Sequence, residues 1–150
     1  MTIGTNEKRP AVSQTNHNKM VKYIAESLST AGYYVLADHI GWEAGCPSEI
    51  NNYIPDIVAS KPATATKAAQ KFIFEVETCP TYMDEHTRAQ LSAFSTASGI
   101  TYIMLPHSCQ RNGKVYDHIT EMKQLLVKWN LTSVKIGTCN FNNGEIKYNV

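Results

Sequence analysis

Between Lys71 and Thr78 the chain reads KFIFEVET, a run of β-formers interrupted by two glutamates one residue apart. Side chains alternate across a strand, so Ile73, Glu75 and Glu77 share one face while Phe72, Phe74 and Val76 share the other. The aromatic face belongs to a core. Strands disfavour Asp and, more mildly, Glu, so acids on the second face ask for a reason other than folding. A similar acid stands before Glu75 with eighteen residues between them, where YIPDIVAS (53–60) carries Asp56 after Pro55. The connector KPATATKAAQ is short, which makes the two runs antiparallel neighbours, and some registers set Asp56 within a few ångströms of Glu75 or Glu77. Like charges so placed repel and raise each other's pKa, a penalty that a divalent cation removes.

The rest of the chain surrounds this hairpin with alternating helices and strands. Residues 1–15 are polar with one proline and read as a flexible arm, followed by one domain over 16–150. Met20, Val21, Ile24, Ala25 and Leu28 recur at helical spacing from Asn16 onward, and Gly32 stops that helix. Tyr33–Ala37 predicts a strand, and 39–52 a loop containing Trp42. After the hairpin, Thr81 and Asp84 are alternative caps for a helix reaching Ser98, with Leu91 and Phe94 toward the core and Gly99 at its end. Ile100–Leu105 predicts a buried strand, RNGK (111–114) a turn, Asp117–Trp129 a third helix, and Val134–Cys139 and Glu145–Tyr148 two edge strands.

With 150 residues and 43% apolar composition, a single domain can bury a sizeable core. The formal charge of +1 excludes a global basic field, so a polyanion partner must be held by a local patch. Cys46, Cys79, Cys109 and Cys139 are scattered without a C-x-x-C pair and read as reduced structural thiols. No segment reaches the roughly 18 to 20 apolar residues of a membrane span, and the N-terminus lacks a signal-peptide core. The expectation is a soluble, intracellular, cytoplasmic protein with no membrane partner. A G-x-x-x-x-G-K-[ST] loop is missing from the sequence, so no nucleotide cofactor is expected.

Hard Mg²⁺ takes one or two protein carboxylates, keeps several waters, and completes its shell with substrate phosphate. Bound in that way it polarises a phosphoryl oxygen and lowers the pKa of an attacking water. With Pro55-Asp56 on one strand and Glu75-Val76-Glu77 on the next, the order helix, strand, strand, strand, helix, strand resembles the PD-(D/E)xK nuclease superfamily over residues 16–106. The resemblance implies an α/β restriction-endonuclease-like core, a mixed β-sheet flanked by helices, and a Mg²⁺- or Mn²⁺-dependent endonuclease acting on DNA. It implies Asp56 and Glu75 as metal ligands, the Val76 carbonyl as a backbone ligand, and Glu26 of the first helix as a further acid in the cluster.

The departure is Glu77, where the usual residue is lysine. Some restriction enzymes of this superfamily carry glutamate there, and Glu77 would bind a metal or position water. Lys71 does not replace the lysine, because four residues along the strand put its Cα about 13 Å from that of Glu75. His86 and Gln90, four apart on one helical face, are candidates to orient water or contact phosphate. Arg88 has Asp84 or Glu85 as a helical ion-pair partner, while Trp42 and the RNGK turn are candidate DNA contacts.

Taken singly, each acid reads as an ordinary solvated strand-end residue, and His86 and Gln90 as exposed helix positions. Analogy with nucleases of this size suggests a homodimer. The alternative function is a catalytically inactive, nuclease-fold subunit that binds nucleic acid or acts as a scaffold. Nothing in these residues separates DNA from RNA as substrate.

Overall fold

A computed structural model describes residues 10–150. The first helix, α1 (Ala11–Thr30), begins at the capping residue Pro10. Ala11–Thr15, assigned to the arm by sequence, are therefore helical, and residues 1–9 of that arm lie outside the described residues. The helix starts earlier because the buried stripe does: Ser13 and His17 continue the line of Met20, Val21, Ile24 and Leu28. Both fall at helical spacing, and a polar residue under a sheet is hidden from a search for apolar periodicity.

Eight strands and two further helices follow: β1 (Tyr34–Ala37), β2 (Ile57–Lys61), β3 (Gln70–Val76), α2 (Glu85–Ser95), β4 (Ile100–Pro106), β5 (Cys109–Arg111), β6 (Lys114–Tyr116), α3 (His118–Lys128), β7 (Lys135–Cys139) and β8 (Ile146–Tyr148). Six strands form one mixed sheet in the order β1-β2-β3-β4-β7-β8. β2 pairs antiparallel with both β1 and β3, β4 joins β3 in parallel, β7 joins β4 in parallel, and β8 closes the edge antiparallel. A parallel neighbour requires a crossover, which α2 supplies between β3 and β4. At the end of that crossover Gly99, φ +106°, passes so close to Lys71 that a Cβ would stand 2.6 Å from its carbonyl oxygen.

Alternation along the strands divides the core in two. Met20, Ile24 and Ala25 of α1 pack with Val35, Ile57, Phe74, Val76 and Met104. Leu91 of α2 and Met122 and Leu126 of α3 pack with Ile103, Leu105 and Ile136 on the opposite face. Burial of such side chains contributes roughly 1.5–3 kcal/mol each, which is what holds the helices to the sheet.

Two expectations change, and the expected turn at RNGK holds. The strand expected at 53–60 starts at Ile57, because Asn51 and Asn52 adopt positive φ in a turn closed by the Ile50–Tyr53 bridge. RNGK is the tip of the β5–β6 hairpin, with positive φ at Asn112 and Gly113. The thiols are not all reduced: Cys79 and Cys109 form a disulfide with Cα atoms 5.6 Å apart, leaving Cys46 and Cys139 free. The partners are thirty residues apart in sequence and meet only because β4 carries the chain back alongside the end of β3. Disulfides persist mainly in oxidising compartments, so the intracellular expectation loses the support that free thiols gave it. No helix among the described residues is long and apolar enough to cross a membrane.

Candidate metal centre

Asp56 directly precedes β2, and the register pairing Ile57 with Phe74 sets it opposite Glu75. Its amide donates to Phe74 O at 3.1 Å and its carbonyl accepts from the Asp38 amide at 2.9 Å, so backbone on both sides holds it. The carboxylate folds inward, and Oδ2 accepts the Val76 N–H at 2.7 Å. Asp56, Glu75 and Glu77 are buried, at 4%, 1% and 0% exposure. The solvated strand-end reading of these acids therefore fails.

Two histidines close one side of the cluster. His17 reaches from α1 and places Nε2 3.2 Å from Asp56 Oδ2, while His39, just after β1, places Nε2 3.3 Å from Oδ1. The rings meet edge to face with centroids 5.2 Å apart. His39 sits at φ +73°, a region histidine enters rarely, and its amide donates to Asp38 Oδ1 at 2.9 Å. One ligand atom each from His17, His39 and Asp56 lie within 4.8 Å of one another.

Glu77 is held from the other side. Its Oε1 accepts the Thr81 hydroxyl at 2.6 Å, and Thr81 Oγ1 in turn accepts the Thr78 amide at 3.1 Å. Thr78 Oγ1 meets Ser13 Oγ of α1 at 2.5 Å, so the first turn of the helix and the end of the acidic strand share one chain of hydroxyls.

The electrostatics separate the acids. Burial alone would raise the Asp56 carboxyl, but the charges and hydrogen bonds of His17 and His39 outweigh it and hold the group well below the usual carboxylate range. Glu75 moves the opposite way: burial, then repulsion from Asp56 and Glu77, push it well above that range. Glu75 Oε1 has no hydrogen-bond partner among the described residues. A buried acceptor without a donor is costly, and a divalent cation between carboxylates satisfies it. His17, His39 and Asp56 thus offer three ligand atoms that could hold a metal ion.

The remaining sequence candidates are distributed unevenly. Val76 enters the cluster through its N–H, given to Asp56, whereas the sequence pointed to its carbonyl. Gln90 is buried on α2, with Oε1 lacking a hydrogen-bond partner among the described residues. The half-buried His86 sets its ring edge-on to Tyr53 at 5.8 Å. Glu26 does not join the cluster: it is exposed on α1, nine residues beyond His17 and about 13 Å further along the axis. Trp42 is not free to stack on DNA, because its indole N–H donates to Val35 O at 2.9 Å and its ring packs on the core. Arg88 pairs with Glu85, not Asp84. Arg111 of the RNGK turn pairs with Glu121.

The two histidines were missed for different reasons. His17 carried a signal, since it stands three residues before Met20 and seven before Ile24 on the apolar stripe of α1. His39 carried none, because its place depends on a left-handed turn and on the β1–β2 register. No family model matches the chain, and no curated protein matches it in sequence.

Proposed function

We propose that this chain is a metal-dependent phosphodiester hydrolase of the PD-(D/E)xK kind, an endonuclease acting on DNA with Mg²⁺ or Mn²⁺. The observation that carries the reading is the burial of three carboxyls together, with Glu75 Oε1 left without a donor. The element order α1-β1-β2-β3-α2-β4 supports it, as does Pro55-Asp56 leading into β2 opposite Glu75 on β3. A divalent ion bound there would polarise a phosphoryl group and lower the pKa of the attacking water.

The side chains divide the work. Asp56, aimed by the Val76 amide, and Glu75 hold the ion. Glu77, fixed by Thr81, holds the water that attacks phosphorus. Gln90, buried on α2, and the half-buried His86 one turn earlier would support the site. Divalent metal should produce nicking of plasmid or branched DNA that Asp56→Ala abolishes. Protein that cleaves no DNA or RNA with any divalent ion rejects the proposal.

One observation favours a second reading, a non-hydrolytic binding or scaffold subunit. Glu77 stands where the usual lysine would be, and Lys71 is exposed. Tight metal binding and DNA binding without cleavage would select that reading.

A further inference from the structure

We propose that His17, His39 and Asp56 form a mixed nitrogen and oxygen site that makes this chain select a borderline transition-metal ion, of the Co²⁺ or Zn²⁺ class, over Mg²⁺. This deepens the hydrolase reading by naming the ion class, and rests on it only in placing a cation among these residues. Imidazole suits borderline metals, whereas Mg²⁺ demands oxygen.

His17 is prepared as a ligand. Its Nδ1 lies 2.9 Å from Asn18 Oδ1, which can accept a ring proton there, and its Nε2 faces Asp56. Metal-binding histidines are oriented by such a bond at the other nitrogen. The residue is 1% exposed, and its Nε2 lies 3.2 Å from Asp56 Oδ2. An imidazole nitrogen and a carboxylate oxygen held face to face in the interior are joined by a proton or by a cation.

His39 meets the same point from the strand side. Its Nε2 lies 3.3 Å from Asp56 Oδ1 and 3.4 Å from Asp38 Oδ2, a second carboxylate within reach of the same ion. The three principal ligand atoms are close enough for one ion to touch all of them after small side-chain adjustments. They come from α1, from the turn after β1 and from the entry to β2, so the bound ion would tie the helix to the sheet.

The test is calorimetric titration of untagged Cys46→Ser protein, which removes the exposed thiol, with Co²⁺ and separately with Mg²⁺. One Co²⁺ per chain should bind about 100-fold tighter than Mg²⁺, and affinity should fall at least about tenfold in His17→Gln and in His39→Asn. His39→Asn keeps a residue that tolerates positive φ and decides the matter if the buried His17 variant does not fold. Mg²⁺ binding as tightly as Co²⁺, or Co²⁺ affinity unchanged in the folded histidine variants, overturns the proposal. Selective Co²⁺ binding without cleavage of any nucleic acid would reject the hydrolase and leave this site standing. Cleavage supported by Mg²⁺ alone and indifferent to His39→Asn would do the reverse.

Discussion

Among the described residues, two hydrogen-bonded networks built on carboxylates differ in how their charge is balanced. At the β5–β6 hairpin, Glu121 accepts the Tyr82 hydroxyl at 2.5 Å and two Arg111 nitrogens at 3.2 Å. The Tyr116 hydroxyl lies 2.6 Å from that of Tyr82, and the Arg111 guanidinium stacks 4.1 Å above the Tyr116 ring. Hydrogen bonds from Arg111 and then Tyr82 hold Glu121 below its ordinary pKa. Burial, then the bond to Glu121, push Tyr82 upward. At the buried acids, the His17 and His39 imidazoles and the Val76 amide face Asp56, and the Thr81 hydroxyl is given to Glu77. A network whose charges are matched by the chain fastens a hairpin to a helix. One with surplus negative charge suits the cation proposed above.

Perturbing the two clusters should therefore give opposite responses. The largest effect expected is from ligand: Co²⁺ at 100 times its dissociation constant should stabilise the protein by about 2.7 kcal/mol in a denaturant melt. The same addition should do nothing to the contribution of Tyr82. Next, Tyr82→Phe removes a buried hydroxyl that joins two partners, and should destabilise the fold by about 1–2 kcal/mol with or without metal. Glu75→Gln should act with the opposite sign, stabilising the metal-free protein by about 1 kcal/mol while weakening metal binding, because it removes a repelled buried acid. If Glu75→Gln destabilises the apo-protein as Tyr82→Phe does, the two clusters are alike and the contrast collapses.

The smallest effect is a slope with pH. Glu75 titrates above its unfolded value, so its contribution to apo-protein stability is full below about pH 4 and is lost as pH rises through its raised value. Asp56 titrates below its unfolded value, so its contribution is present above about pH 4 and is lost as pH falls further. Metal-free protein should lose stability as pH climbs from mildly acidic values, and saturating Co²⁺ should reverse that slope by replacing the Glu75 proton. Equal slopes with and without metal, read from melts across a pH series, would exclude Glu75 from the ion's surroundings.

Much of the frame was legible. The period-two run around Phe72 and Phe74, the short connector behind it and the helical stripe from Met20 to Leu28 are local patterns, and β2, β3 and α1 appear where those patterns lie. Facing acids followed from alternation and pairing, which act over two strands. Their depth of burial did not, because the helices overhead decide it. Glu26 looked eligible and is exposed, while His17, not singled out by its sequence, lies against Asp56. The Cys79–Cys109 bond escaped for a related reason: spacing along a chain says nothing about which strand ends come level.

By itself, then, the order of residues determined most of the segments that become strands and helices, and that Asp56 could meet Glu75 or Glu77 across a hairpin. Propensity, alternation and short connections are local forces, and they read directly from neighbours in the chain. Tertiary structure alone decided that two imidazoles, one on a distant helix and one on a left-handed turn, would converge on Asp56. That convergence depends on how α1 settles on the sheet, where many weak apolar contacts act together and no single residue announces the outcome.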